Sequence, residues 1–139
     1  MHRPLFMEGA RSPVVLVIED NPDLAVLFRE LIEAEGCTVL TAGDGKQALA
    51  ILAVCPTDLV VCDLMLPVMD GFDFLRAYRE RPPPHVPVIA TTALRGYQPK
   101  ALESGADEVY DWATMLEILP ARCRPRSAER QPGTRNAGA

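Results

Sequence analysis

Val14-Val15-Leu16-Val17-Ile18 is an unbroken aliphatic, largely β-branched run that stops on Glu19-Asp20, the pattern of a strand buried on both faces. Asn21-Pro22 follows, supplying an N-cap and a proline suited to the first helical position. Leu24, Leu27, Phe28, Leu31 and Ile32 then recur at helical spacing as one apolar stripe, and Gly36 ends the helix. The same alternation repeats down the chain. Cys37 to Thr41 predicts a short strand, and Asp44-Gly45 leads into a helix burying Ala48, Leu49 and Leu52. Leu59 to Cys62 is the third strand. Asp70-Gly71 opens a helix carrying Phe72, Phe74, Leu75 and Tyr78, broken by Pro82-Pro83-Pro84. Val86 to Thr91 predicts a fourth strand, and Pro99 to Ser104 a short helix closed by Gly105. Glu108 to Tyr110 is a weak fifth strand, and Ala113 to Leu119 a last helix that Pro120 should end.

Five β-α units within one 139-residue chain predict an α/β fold, a doubly wound parallel sheet with helices on both faces. The expected organisation is a disordered segment at 1–12, the domain at 13–121, and an Arg/Pro-rich disordered tail or linker at 122–139. Charge sharpens that boundary. The tail holds Arg122, Arg124, Arg126, Arg130 and Arg135 against Glu129, a local +4, which leaves -9 for residues 1–121. An acidic body makes nucleic acid an unlikely ligand.

No apolar run approaches the roughly 20 residues of a membrane helix. Leu5-Phe6-Met7 is too short for a signal peptide, so a cytoplasmic chain is expected. Cys37, Cys55 and Cys62 read as small core residues and Cys123 as a tail thiol, with no metal-ligand spacing among them. His85 follows Pro84 and His2 lies two residues before Pro4, both in predicted loops, which argues against an imidazole metal site.

The chemistry gathers at the strand ends. The first strand ends on Glu19-Asp20, the third on Asp63, and the fourth on Thr91-Thr92. Open parallel sheets bind ligands beyond such tips. Three carboxylates crowded in one pocket raise each other's pKa unless a cation joins them, and oxygen-only donors in a hydrated site suit Mg²⁺. Carboxylate, Mg²⁺ and hydroxyl are the parts of phosphoryl transfer to an Asp nucleophile. The plainer reading makes these acids loop residues and caps, with Asp20 and Asp70 each serving a helix N-terminus.

From about Val14 to Leu119 the chain resembles a two-component response-regulator receiver domain. The matching residues are Glu19-Asp20, Asp63 with Pro67 and Asp70-Gly71, Thr92-Ala93, and Gly105-Ala106-Asp107. The resemblance implies a CheY-like, flavodoxin-like sheet of five strands in order 2-1-3-4-5. It implies that Asp63 accepts phosphate from a sensor histidine kinase or phosphotransfer protein, and that the domain signals to an output protein whose identity the sequence does not give. It further implies Mg²⁺ held by Asp20, Asp63 and the Met65 backbone carbonyl, with Glu19 acting through water. Thr92 would bond the phosphoryl group and act as the switch. Catalysis would be limited to phosphorylation and dephosphorylation of Asp63, so the domain is not expected to be an enzyme otherwise.

Where receivers carry Lys followed by cis-Pro at the end of the fifth strand, this chain has Trp112 and Ala113, and its two lysines, Lys46 and Lys100, fall elsewhere. The usual coupling aromatic falls at Val109, with Tyr110 one step beyond and hence on the other face. The loop after Thr92 is also about two residues shorter than the family norm. Two readings stand: a phosphoacceptor in which Arg95 or the metal takes over part of the Lys role, or a phosphorylation-independent pseudo-receiver that binds protein. Trp112 either packs or covers the pocket in place of the Lys stem. Gly43-Asp44-Gly45 mimics a dinucleotide fingerprint but sits in the second β-α turn rather than the first. A haloacid-dehalogenase-like phosphatase would need a second Asp at the position of Met65.

Overall fold

The computed structural model describes residues 12–93 and 96–124. The elements run β1 (Val14–Ile18), α1 (Pro22–Glu33), β2 (Thr38–Ala42), α2 (Gly45–Val54), β3 (Leu59–Asp63), α3 (Gly71–Glu80), β4 (Val88–Thr92), α4 (Gln98–Ser104), β5 (Glu108–Asp111) and α5 (Trp112–Cys123). All strand pairs are parallel, as the β-α alternation predicts, and the sheet order is β2-β1-β3-β4-β5, as the family resemblance implies. Every C-terminal strand tip therefore points to one edge, and the loops that follow the strands meet there.

Alternate residues divide the core into two layers. Val15, Val17, Leu59, Val61 and Ile89 pack with Phe28 and Ile32 of α1 and with Met115, Leu119 and Cys123 of α5. On the opposite face Leu16, Ile18, Val60, Cys62, Val88 and Ala90 meet Ala48 of α2, the aromatics of α3, and Ala101 of α4. The α1 stripe is narrower than its periodicity suggests. Phe28 and Ile32 are buried, whereas Leu27 is exposed.

Helix starts follow the local sequence. Asn21 Oδ1 accepts the backbone N–H groups of Asp23 and Leu24 at 2.9 and 3.2 Å, and Pro22 opens α1. Asp44 Oδ1 accepts from Gln47 N–H at 2.8 Å while Gln47 Oε1 takes Gly43 N–H at 2.9 Å. This reciprocal cap gives the glycine-rich turn a structural role. Asp70 caps α3 through the Asp73 N–H at 2.9 Å, the plain role considered for it.

One boundary differs from expectation. Pro120 does not end the last helix, which continues to Cys123. Leu119 and Cys123 are fully buried against β-strands and α1, and Arg122 pairs with Glu108 and Arg124 with Glu35. Packing on both sides of the proline outweighs its missing hydrogen bond. Cys123 is thus a core residue rather than a tail thiol, and its carbonyl accepts from Cys37 Sγ at 3.0 Å. The compact unit extends past 121 to Arg124. At the other end Ser12, expected in a disordered segment, donates its hydroxyl to Gly36 O at 2.8 Å. Residues 1–11 and 125–139, where most of the two disordered segments were expected, and Arg95 lie outside the described residues.

Candidate functional site

The sheet register builds the site. Val17, Val61 and Ile89 lie side by side across β1, β3 and β4 on the α1/α5 face. Two residues further along each strand, on that same face, come Glu19, Asp63 and Thr91. Thr91 pairs directly with Asp63 on one side and with Tyr110 on the other. A row of core aliphatics becomes polar at the tip of the sheet.

Glu19, Asp20 and Asp63 each offer a carboxylate oxygen within 4.8 Å of the others. Glu19 is 5% and Asp63 9% exposed, while Asp20 faces solvent. Asp20 does not cap α1, since Asn21 takes that role. Asp63 Oδ1 accepts the Met65 N–H at 2.9 Å, and Glu19 Oε2 accepts the Asn21 N–H at 3.0 Å. Glu19 Oε1 is buried with no hydrogen-bond partner.

Burial is the first cause of the electrostatics. It pushes the Glu19 carboxyl up to about 8, with the negative charges of Asp63 and Asp20 adding to the rise and the Asn21 N–H opposing it. Asp63 is raised as well, chiefly by burial, against which the Met65 N–H and a hydrogen bond with the Glu19 carboxyl act. Among the described residues no Lys or Arg forms an ion pair with these acids. Lys100 lies over the Phe72 ring at 4.4 Å instead, and Lys46 is exposed at the start of α2. No Lys or Arg among the described residues offsets this cluster, and oxygen donors with a buried orphan among them suit a hard divalent cation.

The neighbouring loop is fitted closely. A Cβ on Gly71 would stand 2.6 Å from Leu64 Cα and 2.7 Å from Asp63 O, so only glycine lets α3 start against the strand that carries Asp63. Val68 has φ of 68° and is spanned by a 2.7 Å hydrogen bond from Met69 N–H to Pro67 O. Met65 has its side chain in solvent and its N–H on Asp63.

Thr92 ends β4 at the same edge as Asp63, buried and in register with Asp111, but on the opposite face from the Glu19–Asp63–Thr91 row. The sequence named the Thr91-Thr92 pair and gave the role to Thr92; the strand register is what singles out Thr91. On β5, Val109 packs in the α2–α4 layer and Tyr110 in the α1/α5 layer, the reversal read from the sequence. Trp112 has a packing role: its ring stacks on Phe28 with centroids 5.1 Å apart and planes 14° apart.

Comparison with known proteins agrees with this geometry. Residues 15–111 match the family model of the response regulator receiver domain. The DNA-binding response regulator MtrA of Mycolicibacterium smegmatis is 37% identical over 114 residues, covering 81% of this chain and 49% of MtrA. Among solved structures, the Francisella response regulator 1452 receiver domain is 30% identical with a TM-score of 0.74, over 81% of this chain and 93% of that one. The receiver domain of the sensor histidine kinase PA1611 from Pseudomonas aeruginosa, which carries a magnesium ion in its active site cleft, is 28% identical with a TM-score of 0.70, over 81% of this chain and 98% of that one. The chain spans about half of MtrA's length. It belongs to the response regulator receiver family, the signalling domains of two-component systems.

Proposed function

We propose that Asp63 receives a phosphoryl group from a phosphohistidine of a sensor histidine kinase or phosphotransfer protein, and that the domain passes this state to an output partner. The observation that carries this reading is the convergence of Glu19, Asp20 and Asp63 within 4.8 Å at the strand tips, with Glu19 Oε1 buried and partnerless. The donor set fits Mg²⁺, which would be held by Asp20, Asp63 and the Met65 carbonyl, with Glu19 acting through water. When bound, the ion would neutralise the phosphoryl oxygens and leave the Asp63 carboxylate free to attack.

The chain's own residues do the rest. An Asp63 oxygen forms the new bond to phosphorus as the P–N bond to the donor imidazole breaks and its electron pair returns to the ring. The Met65 N–H holds the other carboxylate oxygen, which fixes the direction of attack. Thr92, the last residue of the adjoining strand, would reach the phosphoryl group over the end of the sheet rather than from the Asp63 face, and report it, the role the family resemblance implies. Water then hydrolyses the acyl phosphate and returns Asp63, so the domain is a signalling switch rather than a turnover enzyme.

The family match and the relatives favour this reading over a phosphorylation-independent pseudo-receiver. Acidic charge disfavours nucleic acid at residues 1–121 alone; the relative MtrA is a DNA-binding response regulator. No helix among the described residues is long and apolar enough to cross a membrane. Acetyl phosphate with Mg²⁺ tests the proposal by intact mass. The expected result is one phosphoryl adduct on wild type and none on Asp63→Ala; no adduct on wild type, or an adduct that survives the substitution, overturns it.

A further inference from the structure

Thr91 is fully buried, and its hydroxyl has no hydrogen-bond partner. A buried, unpaired hydroxyl is disfavoured, so one kept beside a reactive group calls for an account. Its backbone is not the reason. The Thr91 carbonyl is already used by the Leu64 N–H at 3.0 Å, within the β3–β4 pairing that sets Thr91 next to Asp63. Adjacent strands lie about 4.8 Å apart, and side chains paired in register leave the sheet on the same face. The Thr91 hydroxyl and the Asp63 side chain are therefore cross-strand neighbours on one face of the sheet.

The surroundings leave that role unfilled. Ionised carboxylates only accept hydrogen bonds; Asp63 Oδ1 takes the Met65 N–H, and the one side chain that hydrogen-bonds Asp63 among the described residues is the acid Glu19, which a bound cation would deprotonate. Tyr110, the next residue of the row, has its hydroxyl on Glu108 Oε1 at 2.5 Å. Trp112, one same-face step further on, offers its ring to Phe28. Among the described residues no Lys or Arg pairs with Asp63. Thr91 is the buried donor in direct strand register with the nucleophile.

We infer that the Thr91 hydroxyl is a positioning donor for phosphorylated Asp63: unpaired in the resting domain, it hydrogen-bonds the acyl-phosphate end once Asp63 is modified. This rests on Asp63 as phosphoacceptor. It differs from the role of Thr92, whose side chain belongs to the opposite face. The resting protein then carries the penalty of the orphan hydroxyl, and the phosphorylated one is relieved of it.

That asymmetry gives a test no purely structural role would pass. Thr91→Val keeps the shape and removes the hydroxyl. Without ligand it should melt a few degrees above wild type, because an unsatisfied buried group is gone. With Mg²⁺ and beryllofluoride, a phosphoryl mimic, it should bind about tenfold or more weakly, the scale of one lost hydrogen bond to a charged group. Thr91→Ser should restore binding and Thr91→Ala should not, which repeats the comparison if the valine variant fails to fold. Beryllofluoride affinity equal to wild type in Thr91→Val, or in Thr91→Ala where the valine variant does not fold, overturns the inference and leaves Asp63 as phosphoacceptor intact. If wild type itself takes up neither beryllofluoride nor phosphate, the inference and the reading beneath it fall together.

Discussion

Glu19 shows how one residue's surroundings decide its behaviour. Its carboxyl rises from 4.5 to about 8, first through burial and then through Asp63 and Asp20. A folded-state pKa above the unfolded one means the uncharged form favours folding. Glu19's contribution to the stability of the metal-free domain is therefore full below pH 4.5 and is lost as pH rises through about 8. Glu19→Gln should flatten that decline in a thermal-melt series without divalent metal. Mg²⁺ competes with the same proton, so its stabilising effect on wild type should grow across the same window. A pH slope unchanged in the glutamine variant would show that Glu19 is not its source. The acids were legible in the sequence because an apolar run that stops on a carboxylate marks a strand tip. Thr91 was legible only as a nearby hydroxyl: its relation to Asp63 depends on which residues of two distant strands pair, and that register is fixed by packing of the whole sheet.

At the scale of elements, the loop from β3 to α3 holds the clearest local strain. Val68 is 81% exposed with φ of 68°, a left-handed conformation that a β-branched residue adopts reluctantly. Nothing in its burial compensates. Val68→Gly should raise stability by about 1 kcal/mol, since glycine has no Cβ to strain in this positive-φ γ-turn. Equilibrium urea unfolding would show it as a higher midpoint at unchanged slope; no increase would place the strain elsewhere. Element starts were readable because Asn21, Asp44 and Asp70 are caps whose chemistry is local. The end of α5 was not. Pro120 gives a true local signal to stop, and it is overruled by the burial of Leu119 and Cys123, which no local window contains.

The whole molecule joins its two core layers at one sheet edge, and the order 2-1-3-4-5 places β1 beside β3 so that Glu19, Asp20 and Asp63 meet. The repeated β-α pattern made the architecture legible in the sequence, and the family resemblance supplied the strand order. The departures at β5 are local changes within an unchanged frame: Val109 and Tyr110 exchange faces without altering the pairing of β5 with β4. What the sequence left open, the role of Trp112, is decided by α1, more than eighty residues earlier in the chain, which brings Phe28 beneath it. That stack has an optical consequence. Trp112 is the chain's one indole, at the start of the helix that follows β5 and pressed against α1, so the protein carries a single emitter on the side of the sheet that bears Asp63. Loading with Mg²⁺ and beryllofluoride should shift or quench its emission in wild type and not in Asp63→Ala; identical spectra would mean that α1 and α5 do not sense the site. With the expected change, the domain announces the state of Asp63 in light, with no label attached.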